Sequence, residues 1–202
     1  IIAKKLDRKL IIKDFNDFSA IFPAMETETI DIGISGITIT PDRKEIVDFS
    51  NPYYTSAQAI LTVKNSKFKH FGNVTTNDFE GMNVGYQDLT TSQTWIKTNL
   101  NNINFNNETF GDFSYGIQAL RLGTIDVIIL DEPVANAFIK KYNDLLIVDT
   151  IKTNESYGII VKLNDPNHLL PEINNLLKEI KNNGEYDKLI KKHFGGELTW
   201  AN

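Results

Sequence analysis

The sequence contains no cysteine among its 202 residues. That absence excludes a disulfide framework, a thiolate metal site and a cysteine nucleophile. No apolar run approaches the roughly 18 residues that a membrane-spanning helix needs. There is no long basic block either, and the net charge of −5 disfavours a nucleic-acid partner. What is there, 41% hydrophobic and 23% charged residues, is typical of a soluble globular protein.

Motifs for catalysis and metal binding are also scarce. His70, His168 and His193 have no histidine four residues away, so a zinc pair is not indicated. "GDFSYG" (111–116) lacks the spacing of a nucleophile elbow, and "GISG" (33–36) lacks that of a phosphate or dinucleotide loop. The sequence therefore predicts no catalytic residue, no metal site and no cofactor.

Helical and strand patterns alternate along the chain, which favours an α/β fold with parallel sheets flanked by helices. The predicted helices are 1–9, 18–27, 92–100, 114–124, 133–142, 169–184 and 185–194. The predicted strands are 9–15, 30–37, 57–63, 125–131 and 157–163, with a turn and a strand over 79–87.

A first candidate site follows the apolar run 30–37, where Gly36, Thr38 and Arg43 come close together in the sequence. Glycine lets a ligand approach the backbone, threonine adds a hydroxyl donor, and arginine pairs bidentately with a carboxylate. These residues predict a carboxylate site. The alternative is a surface ion pair between Arg43 and Glu45 or Asp48.

Two further candidates complement it. Thr90, Thr91 and Ser92 precede a helical run, so they either cap the helix or help its first amides to bind an anion. Asp131 ends the buried run "IDVIILD", where α/β sheets bind ligands, and its carboxylate suits an ammonium group. Its alternative role is a helix N-cap ahead of Pro133. A carboxylate site and an ammonium site together suit a free α-amino acid.

The segment "SGITITPDRKEIVDFSNPYYTS" closely resembles the signature of the polar amino-acid solute-binding proteins of ABC importers. The likeness continues in family order through "VGYQDLTTSQ" and "LGTIDVIILDEPVA" and covers nearly the whole chain. It implies the two-lobed type II periplasmic-binding-protein fold, with a mostly parallel sheet in each lobe. Lobe 1 is expected at 1–55 plus 155–202, lobe 2 at 56–154, and hinge crossovers near 53–57 and 153–157. The family's N-terminal strand of lobe 1 is expected to be missing here.

The resemblance also implies roles for single residues. Arg43 would hold the ligand α-carboxylate, Asp131 would hold its ammonium group, and Phe18 would pack on its side chain. Gln87 falls at a position that varies with ligand identity, whereas Asp88-Leu89 replaces a glycine common in relatives. The complete predicted ligand-binding set is Phe18, Ser35, Gly36, Thr38, Arg43, Gln87, Thr91, Ser92 and Asp131.

By the same resemblance, the protein would be a monomeric, extracytoplasmic subunit that captures a polar or basic L-amino acid by hinge closure. Arginine, lysine, histidine and glutamine are the candidate ligands. A membrane permease would be its partner, and a signal upstream of these residues would send it to the periplasm or, as a lipoprotein, to the cell surface. Two alternatives stay open: an amino-acid-sensing domain of a receptor or kinase, and a cyclohexadienyl dehydratase. For the dehydratase, Glu132 and Asp88 are the acid–base candidates.

Overall fold

The computed structural model describes residues 1–68 and 72–194, so His70 lies outside the described residues. Contacts divide the chain into two compact units. Unit 1 consists of Ile1–Phe15, Ala20–Thr55 and Glu155–Asn202, and unit 2 consists of Asn16–Ser19 and Ser56–Asn154. The predicted lobes and hinges concern rigid bodies and their motion, and they stay predictions.

Helices and strands alternate as expected for an α/β protein. The α-helices are α1 (Ile2–Lys5), α2 (Ile21–Glu26), α3 (Pro41–Lys44), α4 (Thr91–Asn99), α5 (Phe113–Leu122), α6 (Glu132–Lys141), α7 (Leu169–Asn182) and α8 (Glu185–His193). The strands are β1 (Val47–Phe49), β2 (Tyr54–Val63), β3 (Asn83–Gln87), β4 (Asn106–Phe110), β5 (Val127–Asp131), β6 (Leu145–Tyr157) and β7 (Ile160–Lys162). Short 3-10 helices cover Phe18–Ala20 and Thr76–Phe79.

The core of unit 2 is a five-stranded sheet in the order β4-β3-β5-β2-β6. β3 is parallel to β4 and β5, whereas β2 is antiparallel to β5, so the sheet is mixed. The side chains of β5 alternate between two apolar clusters, with Val127 and Ile129 in one and Ile128 and Leu130 in the other. A strand covered on both faces is apolar at every position, as the sequence predicted for this segment.

Two glycines let α5 and β3 pack tightly in this core. A Cβ on Gly116 would lie 2.5 Å from Ile128 Cδ1, and one on Gly85 would lie 2.4 Å from Ile125 Cδ1. Gly123 ends α5 in the left-handed conformation, which glycine adopts without strain.

Unit 1 contains a two-stranded antiparallel sheet, β1 with β7, among its described residues. Its apolar cluster joins Ile159 and Val161 to buried side chains of α7 and α8. Tyr186 lies in this cluster and donates a hydrogen bond to the Tyr53 carbonyl oxygen. Burial raises the pKa of Tyr186 to about 12, because the phenolate is disfavoured away from water.

Three predictions for unit 1 are wrong. Residues 9–15 are not a strand: Leu10, Ile11 and Ile12 are 66%, 71% and 80% exposed and pair with no strand among the described residues. Residues 30–37 form only an isolated bridge, at Gly33, because a bend at 35–36 interrupts the extended backbone. The described sheet of this unit is antiparallel rather than mostly parallel.

Within residues 1–68 and 72–194, no helix combines the length and apolarity that crossing a membrane requires.

Candidate functional site

Arg43 is held in place by the short helix α3 and by two side-chain contacts. Thr40 caps α3 by accepting a hydrogen bond from the Arg43 N–H at 3.2 Å, and Pro41 starts the helix. The guanidinium Nη1 donates to the Thr38 carbonyl at 2.8 Å, and the guanidinium carbon lies 5.5 Å from the centre of the Phe22 ring. The half-buried cation is thereby positioned by hydrogen bonding and by cation–π attraction.

Thr38 itself is buried, with 4% of its surface exposed. Its hydroxyl donates to Glu155 Oε2 at 3.1 Å, and its backbone bridges to Tyr157. The segment before Arg43 is therefore fastened to the end of β6.

Gly36 and Ser35 lie at the bend just before Thr38. Gly36 has φ +61°, a left-handed conformation that costs other residues energy, and a Cβ there would lie 3.5 Å from the Tyr157 ring. The Ser35 side chain is exposed. Unit 1 thus contains four residues of the predicted ligand-binding set: Ser35, Gly36, Thr38 and Arg43.

Unit 2 places Asp131 at the carboxyl end of β5, with only 8% of its surface exposed. Gln58, the residue opposite it on β2, donates from Nε2 to Asp131 Oδ1 at 2.6 Å. Asp131 occupies the N-cap position of α6, but within the described residues its side chain makes no capping hydrogen bond. The capping alternative therefore does not account for this carboxylate.

The start of α4 lies beside the same residues. Gln58 Nε2 also donates to Thr91 Oγ1 at 3.2 Å, and the Ser92 hydroxyl donates to Gln58 Oε1 at 2.7 Å. Thr90 is the N-cap of α4, but its hydroxyl donates to the Gln87 carbonyl at 2.7 Å instead of capping. The first turn of α4 carries partial positive charge from the helix dipole, which favours an anion.

Gln87 and Phe18 meet at the carbonyl oxygen of Gly111. Gln87 Nε2 donates to this oxygen at 2.6 Å, and the Phe18 backbone N–H donates to it at 3.3 Å. The preceding residue, Asp17, accepts hydrogen bonds from the hydroxyl and backbone N–H of Ser19, which lower its pKa. Unit 2 thus contains the other five predicted residues: Phe18, Gln87, Thr91, Ser92 and Asp131.

Gln58 is a residue of the candidate site that the sequence did not predict. It is 0% exposed and links Asp131, Thr91 and Ser92. A glutamine in the strand-like run 57–63 was the available signal, because a buried amide needs polar partners. The sequence gives no strand register, and the register is what places Gln58 opposite Asp131.

No metal centre emerges from the described part of the chain. Residues 1–68 and 72–194 contain no cluster of three or more histidine, cysteine, aspartate or glutamate side chains arranged to hold a metal ion.

A known protein family matches almost the whole chain. Residues 1–196 match the family described as bacterial extracellular solute-binding proteins, family 3. The arginine-binding extracellular protein of Bacillus subtilis (strain 168) is 31% identical over 198 residues, which are 97% of this chain and 75% of the relative.

Solved structures agree with this match. An ancestral arginine-binding protein bound to arginine is 36% identical, with a TM-score of 0.86 over 96% of this chain and 84% of the other. An ancestral amino acid-binding protein, described as a precursor of cyclohexadienyl dehydratase, is 35% identical, with a TM-score of 0.81 over 96% and 80% of the two chains. These likenesses confirm the predicted α/β fold.

Proposed function

The chain belongs to the bacterial extracellular solute-binding proteins, family 3, and we propose that it captures a polar or basic L-amino acid for an ABC importer. Arginine is the preferred candidate ligand, ahead of lysine, histidine and glutamine. The importer's membrane permease would receive the ligand, and the protein would act outside the cytoplasm as a monomer. No bond is made or broken in this proposal.

The buried carboxylate of Asp131, fixed by Gln58 at 2.6 Å, is the observation that carries the proposal. A carboxylate with so little exposure is costly unless hydrogen bonds or an opposite charge compensate it. A ligand ammonium group supplies both. Arg43 offers the complementary chemistry, since its guanidinium fork pairs with a carboxylate. An α-amino acid carries one group of each kind.

The ligand side chain would meet Phe18 and Gln87. Phe18 supplies an aromatic ring, and Gln87 supplies a buried amide whose Nε2 is already directed to Gly111. An aromatic face attracts a guanidinium or ammonium group, which favours arginine or lysine over an apolar amino acid. The two similar proteins named for arginine support this choice.

Hinge closure is part of the proposal. The chain passes between the units within β2, at Thr55–Ser56, and within β6, at Asn154–Glu155. A ligand shifts a conformational equilibrium only by its differential affinity for the states. An amino acid that pairs with Asp131 and Arg43 at the same time would favour the state that allows both contacts.

A thermal-shift panel of the L-amino acids, followed by titration calorimetry of each hit, tests the proposal. A ligand at about 1,000 times its Kd adds about 4 kcal/mol of stability, and each kcal/mol raises the melting temperature by about 2–4 °C for a chain of this size. We expect L-arginine to raise it by about 10 °C and D-arginine to have little effect.

Prephenate and arogenate belong in the same panel because of the dehydratase alternative. Glu132 and Asp88 would then have to act as acid or base, and product formation would be detected by absorbance. Turnover of either compound, with no response to any amino acid, would replace the transport proposal with an enzymatic one. The sensor alternative shares the binding chemistry and predicts the same panel result, so it is separated by assaying uptake with the permease.

A further inference from the structure

Gln58 forms hydrogen bonds with three residues of the candidate site, through both of its amide protons and its carbonyl oxygen. Its two N–H donors reach Asp131 Oδ1 at 2.6 Å and Thr91 Oγ1 at 3.2 Å. Its Oε1 accepts from the Ser92 hydroxyl at 2.7 Å. Gln58, on β2, is fully buried, so no solvent competes for these bonds.

These bonds determine which partner donates and which accepts. Asp131 Oδ1 receives a proton from the amide, an arrangement that favours the ionised carboxylate. Thr91 Oγ1 also receives a proton, and a hydroxyl has only one proton of its own. The Thr91 O–H is therefore directed away from Gln58 Nε2. Ser92 has the opposite role, because its hydroxyl donates its proton to Gln58 Oε1.

We propose that Gln58 is a positioning residue that determines which of its neighbours binds the ammonium group of a zwitterionic ligand and which binds the carboxylate. Through Asp131 it maintains an acceptor for the ammonium group, and through Thr91 it maintains a donor for the carboxylate at the start of α4. Gln58 acts through these neighbours and does not itself bind the ligand. The inference rests on the proposed function and deepens it.

The geometry of the sheet supports this positioning role for Gln58. Gln58 faces Asp131 across the antiparallel β2–β5 pair, so the two side chains project on the same side of the sheet. Elsewhere on β2 the core positions Ala59, Ile60 and Leu61 are apolar and buried. A buried amide among such residues is costly unless every polar atom is paired, and here the partners belong to the predicted ligand set.

Two near-isosteric variants test the proposal. Gln58→Met removes all three hydrogen bonds, and Gln58→Glu keeps an acceptor for Ser92 but removes both donors. Thr62→Val is the matched control: Thr62 is also buried on β2, and its hydroxyl donates to the Asp126 carbonyl at 2.7 Å, outside the predicted ligand set. Thermal melts and circular dichroism establish that each variant folds.

Arginine titration gives the first readout. We expect both Gln58 variants to weaken arginine binding by about 10- to 100-fold, in line with the loss of hydrogen bonds to a charged group, whereas Thr62→Val lowers the melting temperature and leaves the affinity unchanged. A double-mutant cycle of Gln58→Met with Thr91→Val should be non-additive, because the first substitution acts partly through Thr91. Affinity within threefold of wild type in the folded Gln58 variants, or strict additivity, would overturn the proposal.

A second readout needs no ligand. The carboxyl ¹³C resonance of Asp131, assigned with Asp131→Asn, should titrate at higher pH in both Gln58 variants and at the wild-type pH in Thr62→Val. If the Asp131 resonance titrates at the wild-type pH in the Gln58 variants as well, Gln58 acts only as a packing residue. If the wild-type protein binds no amino acid, the proposed function fails, but this titration still decides whether Gln58 controls Asp131.

Discussion

The hydroxyl of Thr38 donates a hydrogen bond to Glu155 Oε2 at 3.1 Å, although the two residues are 117 positions apart in the sequence. Glu155 is the residue at which the chain returns to unit 1 after the long unit-2 segment Ser56–Asn154. The loop that carries Arg43 is thus fastened, through Thr38, to the residue where this return begins.

We expect Thr38→Val to destabilise the protein by about 1 kcal/mol. A hydrogen bond to a charged group contributes about 1.5–3 kcal/mol, and the partial exposure of Glu155 lowers this value. Urea denaturation measures the loss. Thr38→Ser, which retains the hydroxyl but removes the methyl group, should be closer in stability to wild type, and a Thr38→Val variant as stable as wild type would contradict the contribution of this hydrogen bond.

Arg43→Ala should weaken arginine binding at least about 100-fold, because a ligand carboxylate would be left without its charged partner. Agmatine, which is arginine without the carboxylate, separates this effect from general damage: its weaker binding should be the same in wild type and variant. Titration calorimetry measures both ligands.

The matched control for Arg43→Ala is Arg121→Ala. Arg121 pairs with Asp144 at 2.8 Å in unit 2 and is outside the predicted ligand set. Its replacement should leave arginine affinity within about twofold of wild type, since an exposed ion pair contributes little. If agmatine and arginine lose affinity equally in Arg43→Ala, Arg43 does not hold the carboxylate.

Asp131→Asn should abolish arginine binding while leaving the protein folded. The amide keeps the size of the carboxylate but carries no charge for the ammonium group. Nα-acetylarginine, which lacks that ammonium charge, should bind poorly to wild type and no worse to the variant. The control is Asp144→Asn, which removes an exposed carboxylate whose pKa is lowered by its hydrogen bond to Arg121. Retention of arginine binding in Asp131→Asn would remove Asp131 from the site.

Tyr186→Phe should change the dependence of stability on alkaline pH. The pKa of Tyr186 is raised to about 12, from a usual value near 10. Between these values the unfolded chain binds fewer protons at this residue than the folded chain, so stability falls as pH rises. The contribution of the neutral hydroxyl is complete below pH 10 and is lost between about pH 10 and 12.

At pH 7 the variant should be less stable than wild type by about 1 kcal/mol, because the hydrogen bond to the Tyr53 carbonyl is lost. This difference should narrow as the pH rises from 10 toward 12. Urea denaturation at a series of pH values measures it, and a difference that stays constant would contradict the raised pKa.

The helices and strands that the sequence predicted best are those whose periodicity or apolar pattern lies within the segment itself. The run 125–131 contains β5, and helices α5 to α8 lie close to their predicted ranges. β4 was missed because its residues, "NNETF", are polar and largely exposed at the edge of the sheet. An edge strand is defined by its neighbour rather than by burial, and the sequence does not show which neighbour it has.

The residues of the candidate site likewise divide into those with a local sequence signal and those whose role depends on the fold. Arg43, Thr38 and Asp131 could be chosen because their chemistry is conspicuous beside strand and helix signals. Gln58 could not, because its role depends on the register that places it opposite Asp131 and on the approach of α4. The run 9–15 has strand-like composition, but the structure gives it no partner within the described residues, so composition alone misled the prediction.

The division of the chain also has a consequence for its biosynthesis. Unit 1 combines segments before Thr55 with segments after Glu155, whereas unit 2 is almost contiguous. Chains emerge from the ribosome from the N-terminus, and domains generally fold as units during synthesis. We expect the sheet of unit 2 to form on the nascent chain while β1 still lacks its partner, since Val47 pairs with Lys162. The unit begun first would therefore be completed last, and a ribosome stalled before β7 would carry one folded unit and one that cannot yet fold.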